Sequence, residues 1–460
     1  MTEIPSRQET RPKLLLIELN EFAPDFLAEM SLELGLRNIG KMLALPHAVT
    51  ATADLVEHQG LDPWVQWVGV HCGRPTTVHG VRRLGETRRQ TLPQIWQRLG
   101  AAGYSWGVFG VMNAPRGDAP GCDFFFPDPW SFEEDAYPKS LNDLLALPRY
   151  VSKNYLSIGP WEAFKNALKL ARFFAPPQHW LLLTRFGAEA LRSVARTGPN
   201  VHTFTTLLDY LSTLYFVQQR RRKRPDFSLI FLNHIAHLQH QFWNREMPPH
   251  PEMALGLELN DAMIGLLLQD RRPDEALVIM NGLKQKNVAG EGFHVYRQKN
   301  PQAAALAMGL EDGEVKQSMT HDAHILFSSS DKADRALAIL QACTLSDGHH
   351  AFYAERAGAT RVFYQIDFEH RVAPGTRLMV GNRTLAFDDL FELVCERTGA
   401  HVPDGDVYFD GVAIPPNLEN HEIFGVVMRH FGLLEESLEP ARPPSGYEAR
   451  RPPVRQAGQK

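Results

Sequence analysis

Three times along this chain, a stretch of helical periodicity runs through a turn into a short, nearly unbroken apolar run. These units cover residues 92–115, 203–234 and 257–283, and an opening run, "KLLLIELNEF" (13–22), precedes a helical segment at 24–44. An apolar run without alternation is a strand buried on both faces, which is the signature of a parallel sheet covered by helices. The expected fold class is therefore α/β, a doubly wound, mostly parallel sheet flanked by helices. In such sheets ligands sit beyond the carboxyl ends of the strands. That directs attention to Asn20, to "HIAHLQH" with His234, His237 and His240, and to Asn281.

At 460 residues the chain is long enough for this core plus insertions. The core is expected over 13–115, 201–319 and 371–434. Residues 116–200 read as an aromatic and helical insertion, a lid or interface that covers a site or lies on a membrane surface. Residues 320–370 read as a small α/β insertion. Residues 439–460, rich in Pro, Arg and Gly, read as a disordered tail. The net charge of −5 argues against a nucleic-acid partner, since phosphate neutralisation needs a basic field. "QQRRRKRP" (218–225) is basic but reads as a solvated helix end. The four cysteines show no CxxC spacing, the first residues lack a signal peptide's apolar core, and no apolar run reaches the ~20 residues that span a bilayer. These features read as a cytoplasmic protein.

Three separated segments resemble the alkaline phosphatase superfamily, in its type I phosphodiesterase/nucleotide pyrophosphatase and sulfatase-like branch. They are "KLLLIELNEFAPDFL" (13–27), "HCGRPTTVHGV" (71–81) and "TGAHVPDGDVYFDGV" (398–412), with "NHEIFGVVMRHFGLL" (420–434) as the closing helix. The resemblance implies an alkaline-phosphatase-like core in which carboxylates and imidazoles hold two metal ions around a phosphoryl or sulfuryl group. Several of the implied positions are replaced. The first metal-binding aspartate falls on Asn20, the nucleophile on Pro63, another aspartate on Ala236, and the aspartate-histidine pair on Asn281 and Gly282. His240 and His401 match ligand positions.

The expected site follows. His237 and His240 lie one helical turn apart and, with His401, can hold one divalent ion, zinc or manganese, rather than two. Asn20, Asn281 and His234 would bind substrate, and Asp62, in "ADLVEHQGLDPW" with Glu57 and His58, is the candidate carboxylate nucleophile. Thr50 and Thr52 are possible nucleophiles if the alignment slips. The other outcome is no ion, with the histidines capping the strand and hydrogen-bonding to the asparagines. His321, Asp322 and His324 are possible substitute ligands, or a polar loop. "SDGHHAF" (346–352) reads as a turn, Cys72 as buried, and "FFFPDPW" (124–130) as cleft lining. Two functions remain open. One is a metal-dependent hydrolase of a small-molecule, glycan or lipid phosphate or sulfate ester. The other is a degenerate member that binds such a ligand, or a protein, without turnover.

Overall fold

The computed structural model describes residues 11–56, 60–154, 158–244, 247–318 and 321–433. The 439–460 tail and the Glu57–His58 pair lie outside the described residues. Ten strands matter for the site: β1 (Leu14–Leu19), β2 (His47–Ala51), β3 (Trp106–Val111), β4 (Cys122–Pro127), β5 (Phe227–Leu232), β6 (Ala276–Met280), β7 (Lys284–Asn287), β8 (Gly399–Val402), β9 (Asp404–Asp410) and β10 (Asn417–Glu419). Eight form the main sheet, in the order β10-β2-β9-β6-β1-β5-β3-β4. β7 and β8 form a separate antiparallel pair.

The apolar runs are central strands. Every residue of β1, β5 and β6 is buried. β1 lies parallel to both β5 and β6, with Leu14 level with Phe227 and Ala276. Its odd residues face one core with Ile230, Leu214 and Met263, and Leu14 and Leu16 face another with Trp67, Val70 and Trp96. The fold is α/β, and the sheet is mixed: β9 runs antiparallel to β6 and β2. The helices of the chain include α1 (Pro24–Glu33), α2 (Pro63–Cys72), α3 (Ile95–Ala101), α4 (Asn142–Asn154), α5 (Pro160–Phe174), α6 (Trp180–Thr197), α7 (Val201–Lys223), α8 (His234–Phe242), α9 (Pro251–Asp270) and α10 (Ile423–His430).

Two segments sit elsewhere than their sequence suggests. "FFFP" is β4, whose Phe124, Phe125 and Phe126 are buried, with Phe126 stacked on Phe109 at 4.3 Å. It lines no cleft, and the insertion therefore starts beyond the sheet's edge strand. The second unit is wider than 320–370. Its core runs from Tyr296 to Phe391 and includes Ile325, Leu340, Tyr364 and Leu378.

The basic end of α7 is also not simply solvated. Arg220 is 4% exposed. Its guanidinium meets Glu275 at 2.5 Å and Asp270 at 3.1 Å and donates to Ser228 Oγ, while Arg221 pairs with Asp270. Glu275 also accepts from Arg272. The cluster ties α7, α9 and the turn into β6 together at the end of the sheet remote from the strand carboxyl ends. Arg220→Met removes the cation and leaves two buried carboxylates short of a partner. The expected loss is about 3–5 kcal/mol in a denaturant titration. A loss within ~0.5 kcal/mol, the usual surface range, would show that Arg272 and Arg221 suffice.

Candidate metal centre at the strand ends

β1 ends in Asn20 and Glu21. Strand alternation sends Asn20 toward the Trp67 face, where its Oδ1 accepts from Trp67 Nε1 at 2.7 Å. Glu21 leaves the strand with φ +56, in the left-handed region that non-glycine residues seldom occupy. Its backbone is pinned by an N–H to Asn281 O and by a carbonyl that accepts from Gln239 Nε2. This turn carries its side chain to the opposite side from Asn20, into a buried position 3% exposed.

Three side chains converge there on Glu21 Oε2. Gln285 Nε2 donates to it at 2.6 Å, His401 Nε2 lies at 2.9 Å and His240 Nε2 at 3.1 Å. The two Nε2 atoms are 3.2 Å apart. Each element arrives for a local reason. α8 follows β5 and carries His240 in its last turn. β8 pairs with β7 so that His401 sits directly opposite Gln285. His401 Nδ1 faces Leu61 O at 2.5 Å, and His240 Nδ1 faces Gly399 O at 2.9 Å. A carbonyl only accepts, so both Nδ1 atoms carry the hydrogen, and each Nε2 presents a lone pair when the ring is neutral.

Two lone pairs and a carboxylate oxygen therefore meet at one point, with the Gln285 amide beside them, and that arrangement favours a proton or a cation. Burial opposes ionisation of Glu21, but the charges and hydrogen bonds of His401 and His240 outweigh it and hold the carboxyl well below its usual range. Burial likewise pushes His401 down, yet Glu21, with Asp62 adding charge, raises it. Burial wins at His240, which is lowered. A proton on His401 is one way to supply the cation. A metal ion is the other. Zinc ligands at 2.0–2.1 Å on tetrahedral vertices stand about 3.3 Å apart. The separations of 2.9, 3.1 and 3.2 Å are close to that edge. The donor set, one carboxylate and two imidazole Nε2 atoms each backed by a carbonyl on Nδ1, fits a divalent ion.

The remaining expected residues have other partners. His237 shares α8 with His240, but its Nε2 lies 3.1 Å from Asn233 Nδ2, and burial lowers it to about 4. It is outside the cluster because Asn233, just before the helix, turns it away. His234 faces the helical layer, with Nδ1 on Asp209 at 2.9 Å and Nε2 on Gly256 O at 3.2 Å. Asn20 donates to Glu21 Oε1 and Asn233 Oδ1. Asn281 donates to Phe22 O and accepts from Asp406 N–H. Both asparagines are joints of the scaffold. Asp62 begins α2 beside Leu61, whose carbonyl orients His401.

Asp322 and His324 lie in a strand of the second unit, where the His324 ring packs on Phe363. Cys72 is buried, and burial pushes its thiol up to about 11. Sequence reasoning missed Glu21 and Gln285. The only signal for Glu21 was a carboxylate next to Asn20.

The "HCGRPTTVHGV" segment builds a structural corner. Gly73 has φ +68, and a Cβ there would meet the Phe424 ring at 2.7 Å. Thr76–His79 forms one helical turn stopped by Gly80 at φ +70. His79 Nδ1 accepts from Val81 N–H at 3.1 Å, and burial lowers its imidazole to about 4.

No family model matches the chain, and no curated protein sequence matches it. Among solved structures, the chain is similar to the phosphonoacetate hydrolase of Sinorhizobium meliloti 1021 in complex with phosphonoformate. That likeness has 14% identity and a TM-score of 0.41, and covers 91% of this chain and 96% of the other. It is also similar to murine ectonucleotide pyrophosphatase/phosphodiesterase 5, at 10% identity and a TM-score of 0.43, covering 92% and 95% of the two chains.

Two outcomes follow from these contacts. Asn20→Asp removes both amide donations and sets an anion beside Glu21. It should cost about 1–3 kcal/mol by denaturant midpoint, and an unchanged midpoint would mean Asn20 is no joint. His79 is held neutral, with its folded value below the unfolded ~6.5. Between about 6.5 and 4, the unfolded chain takes up a proton that the folded chain refuses, so stability falls as pH falls. His79→Gln should flatten that acid loss in urea midpoints measured across the window, and an identical slope would rule out His79 as its source.

Proposed function

We propose that this chain is a divergent, alkaline-phosphatase-like hydrolase that uses a single divalent ion, zinc or manganese, held by Glu21, His240 and His401. One observation carries the reading: Glu21 Oε2 and two imidazole Nε2 atoms lie within 3.2 Å of one another, with both rings locked by carbonyls. The proposed substrate is a phosphate or sulfate ester of a small molecule, glycan or lipid. When bound, the ion supplies Lewis-acid polarisation of the ester oxygen and acidifies a water. The chain's residues do the rest. Gln285 donates to Glu21 and fixes the carboxylate. The Leu61 and Gly399 carbonyls fix the two tautomers. Asp62, whose charge reaches His401, is the carboxylate placed to take a proton from an attacking water or to attack itself.

The second reading keeps the fold and drops turnover: a degenerate member that binds such a ligand, or a protein partner, without hydrolysis. Its support is that a proton shared by His401 and Glu21 satisfies the cluster with no ion. The net charge of −5 speaks against nucleic acid, and the four free cysteines suit the cytoplasmic placement we propose.

Metal uptake separates the two. Elemental analysis of protein purified without chelators, followed by calorimetric titration with zinc and manganese, should give one ion per chain. Glu21→Gln and His240→Ala should abolish uptake and hydrolysis of p-nitrophenyl phosphate, phosphodiester and sulfate. Gln285→Leu, which removes the amide that bonds Glu21, His240 and Ala236 O, should weaken metal affinity about 10–100-fold. Absence of uptake in the wild type after supplementation would overturn the hydrolase reading and leave the binding one. Uptake without turnover on any ester would do the same.

A further inference from the structure

The helical insertion leaves a large apolar face without a partner. On α5, Trp161, Phe164 and Leu168 are 67%, 51% and 53% exposed. Their spacing of three and four residues puts them on one stripe. On α6, Trp180, Leu183 and Leu191 return to one stripe and are 57%, 41% and 77% exposed. The opposite sides of these helices are the packed ones: Phe173 and Phe174 on α5 and Leu182 on α6 belong to the main core. Isolated exposed apolar residues need no explanation, but exposed stripes on two successive helices, each with a tryptophan, do.

The charge around these stripes is mainly basic, with Glu162 paired to Lys165 and Glu189 and Glu258 paired to Arg192. Residues 142–197 hold eight Lys and Arg against three Asp and Glu, a net +5 on a chain whose total is −5. Lys165 and Lys169 flank the α5 stripe, and the Lys165 ammonium lies over Trp161 at 5.9 Å. Arg185 and Arg192 lie on the same helix as the α6 stripe, further round its exposed side, and Arg192, 63% exposed, pairs with Glu258. Where α5 leads into α6, a cavity of about 180 Å³ opens, lined by Gln178, His179, Tyr215, Gln219, Arg222 and Lys223, with Asp123 on its wall. Arg222 and Lys223 end α7 and form no ion pair among the described residues. Gln178 and His179 immediately precede the exposed Trp180, so the cavity mouth adjoins the apolar face.

We propose that the α5–α6 face docks on an anionic phospholipid bilayer. The aromatic and leucine stripes enter the interface, and the cavity beside Arg222 and Lys223 receives a lipid headgroup phosphate. Tryptophan stripes rimmed by Lys and Arg are the composition that binds in the interfacial plane. Snorkelling lysines and arginines then meet the headgroups. A second copy of the chain is a poor occupant, because it would press two mainly basic segments together. None of the described helices is long and apolar enough to cross the membrane, so the contact lies in the interfacial plane. This proposal is independent of the metal reading.

The test is flotation of the purified full chain with vesicles of phosphatidylcholine alone, and with vesicles in which a third of the lipid is phosphatidylglycerol. Binding to the anionic vesicles only, weakening as salt is raised, is the expected result. Each basic residue near such a surface is worth about fivefold in partition, so Arg222→Glu with Lys223→Glu should cut binding about twentyfold or more. Trp161→Glu with Leu168→Glu should abolish it. All four positions are exposed, and wild-type circular dichroism confirms folding. Should either variant misfold, Lys169→Glu with Arg185→Glu gives the same readout. Three results would overturn the proposal: no anionic preference, variants that float like wild type, or a lipid-free dimer that Leu191→Glu dissociates.

Discussion

A carboxylate 3% exposed at the end of the central strand has to be neutralised, and most of the site's architecture follows from that requirement. Glu21 can be charged because three separate parts of the chain reach it. His401 comes from 380 residues away, Gln285 from 264, and His240 from the helix after β5. Each is itself oriented by backbone: Leu61 O and Gly399 O hold the rings, and the β7–β8 pairing holds Gln285 opposite His401. Removing any one partner leaves the carboxylate in a low-dielectric pocket with less to stabilise it, so the site is cooperative in the sense that hydrogen-bonded networks are. The left-handed backbone at Glu21 is sustained by this network, as strained residues generally are at functional positions.

What could be read in advance was whatever leaves a periodic trace. β1, β5 and β6 are buried on both faces, and that prints as an apolar run. The α/β class and the order of the main elements followed. The antiparallel insertion of β9 between β6 and β2 did not, because strand direction within a mixed sheet leaves no mark in a single strand's composition. "FFFP" was ambiguous for a related reason: aromatic content suits both a cleft wall and an edge strand, and register against β3 decided it.

Glu21 was illegible because the apolar run ends at Leu19 and Asn20 is the first polar residue after it. By strand period, residue 20 faces Trp67 and residue 21 faces the other core, so a ligand sought at the strand's last polar position is sought at Asn20. The positive φ makes residue 21 the one that enters the site. His237 shows the converse error. Spacing of three places it beside His240 on the helix surface, but a shared face is not a shared focus, and Asn233 intercepts it. Spacing reports which residues can be neighbours, and hydrogen-bond partners decide where their lone pairs aim.

The same contacts define what the two asparagines at the strand ends do. At the ends of β1 and β6, Asn20 and Asn281 present amides where the resemblance calls for carboxylates. An amide differs from a carboxylate by carrying N–H donors, and here those donors are spent on the scaffold: Asn20 bonds Asn233 and Glu21, and Asn281 bonds Phe22 O. A cation at either place would face hydrogens and give up two hydrogen bonds in a buried region. Glu21, one residue beyond Asn20, is thus the carboxylate that meets the imidazoles carried by α8 and β8. Each asparagine is a hydrogen-bonded joint, and the joint at Asn20, which bonds both Glu21 and Asn233, helps to hold the Glu21 carboxylate where the two imidazoles meet it.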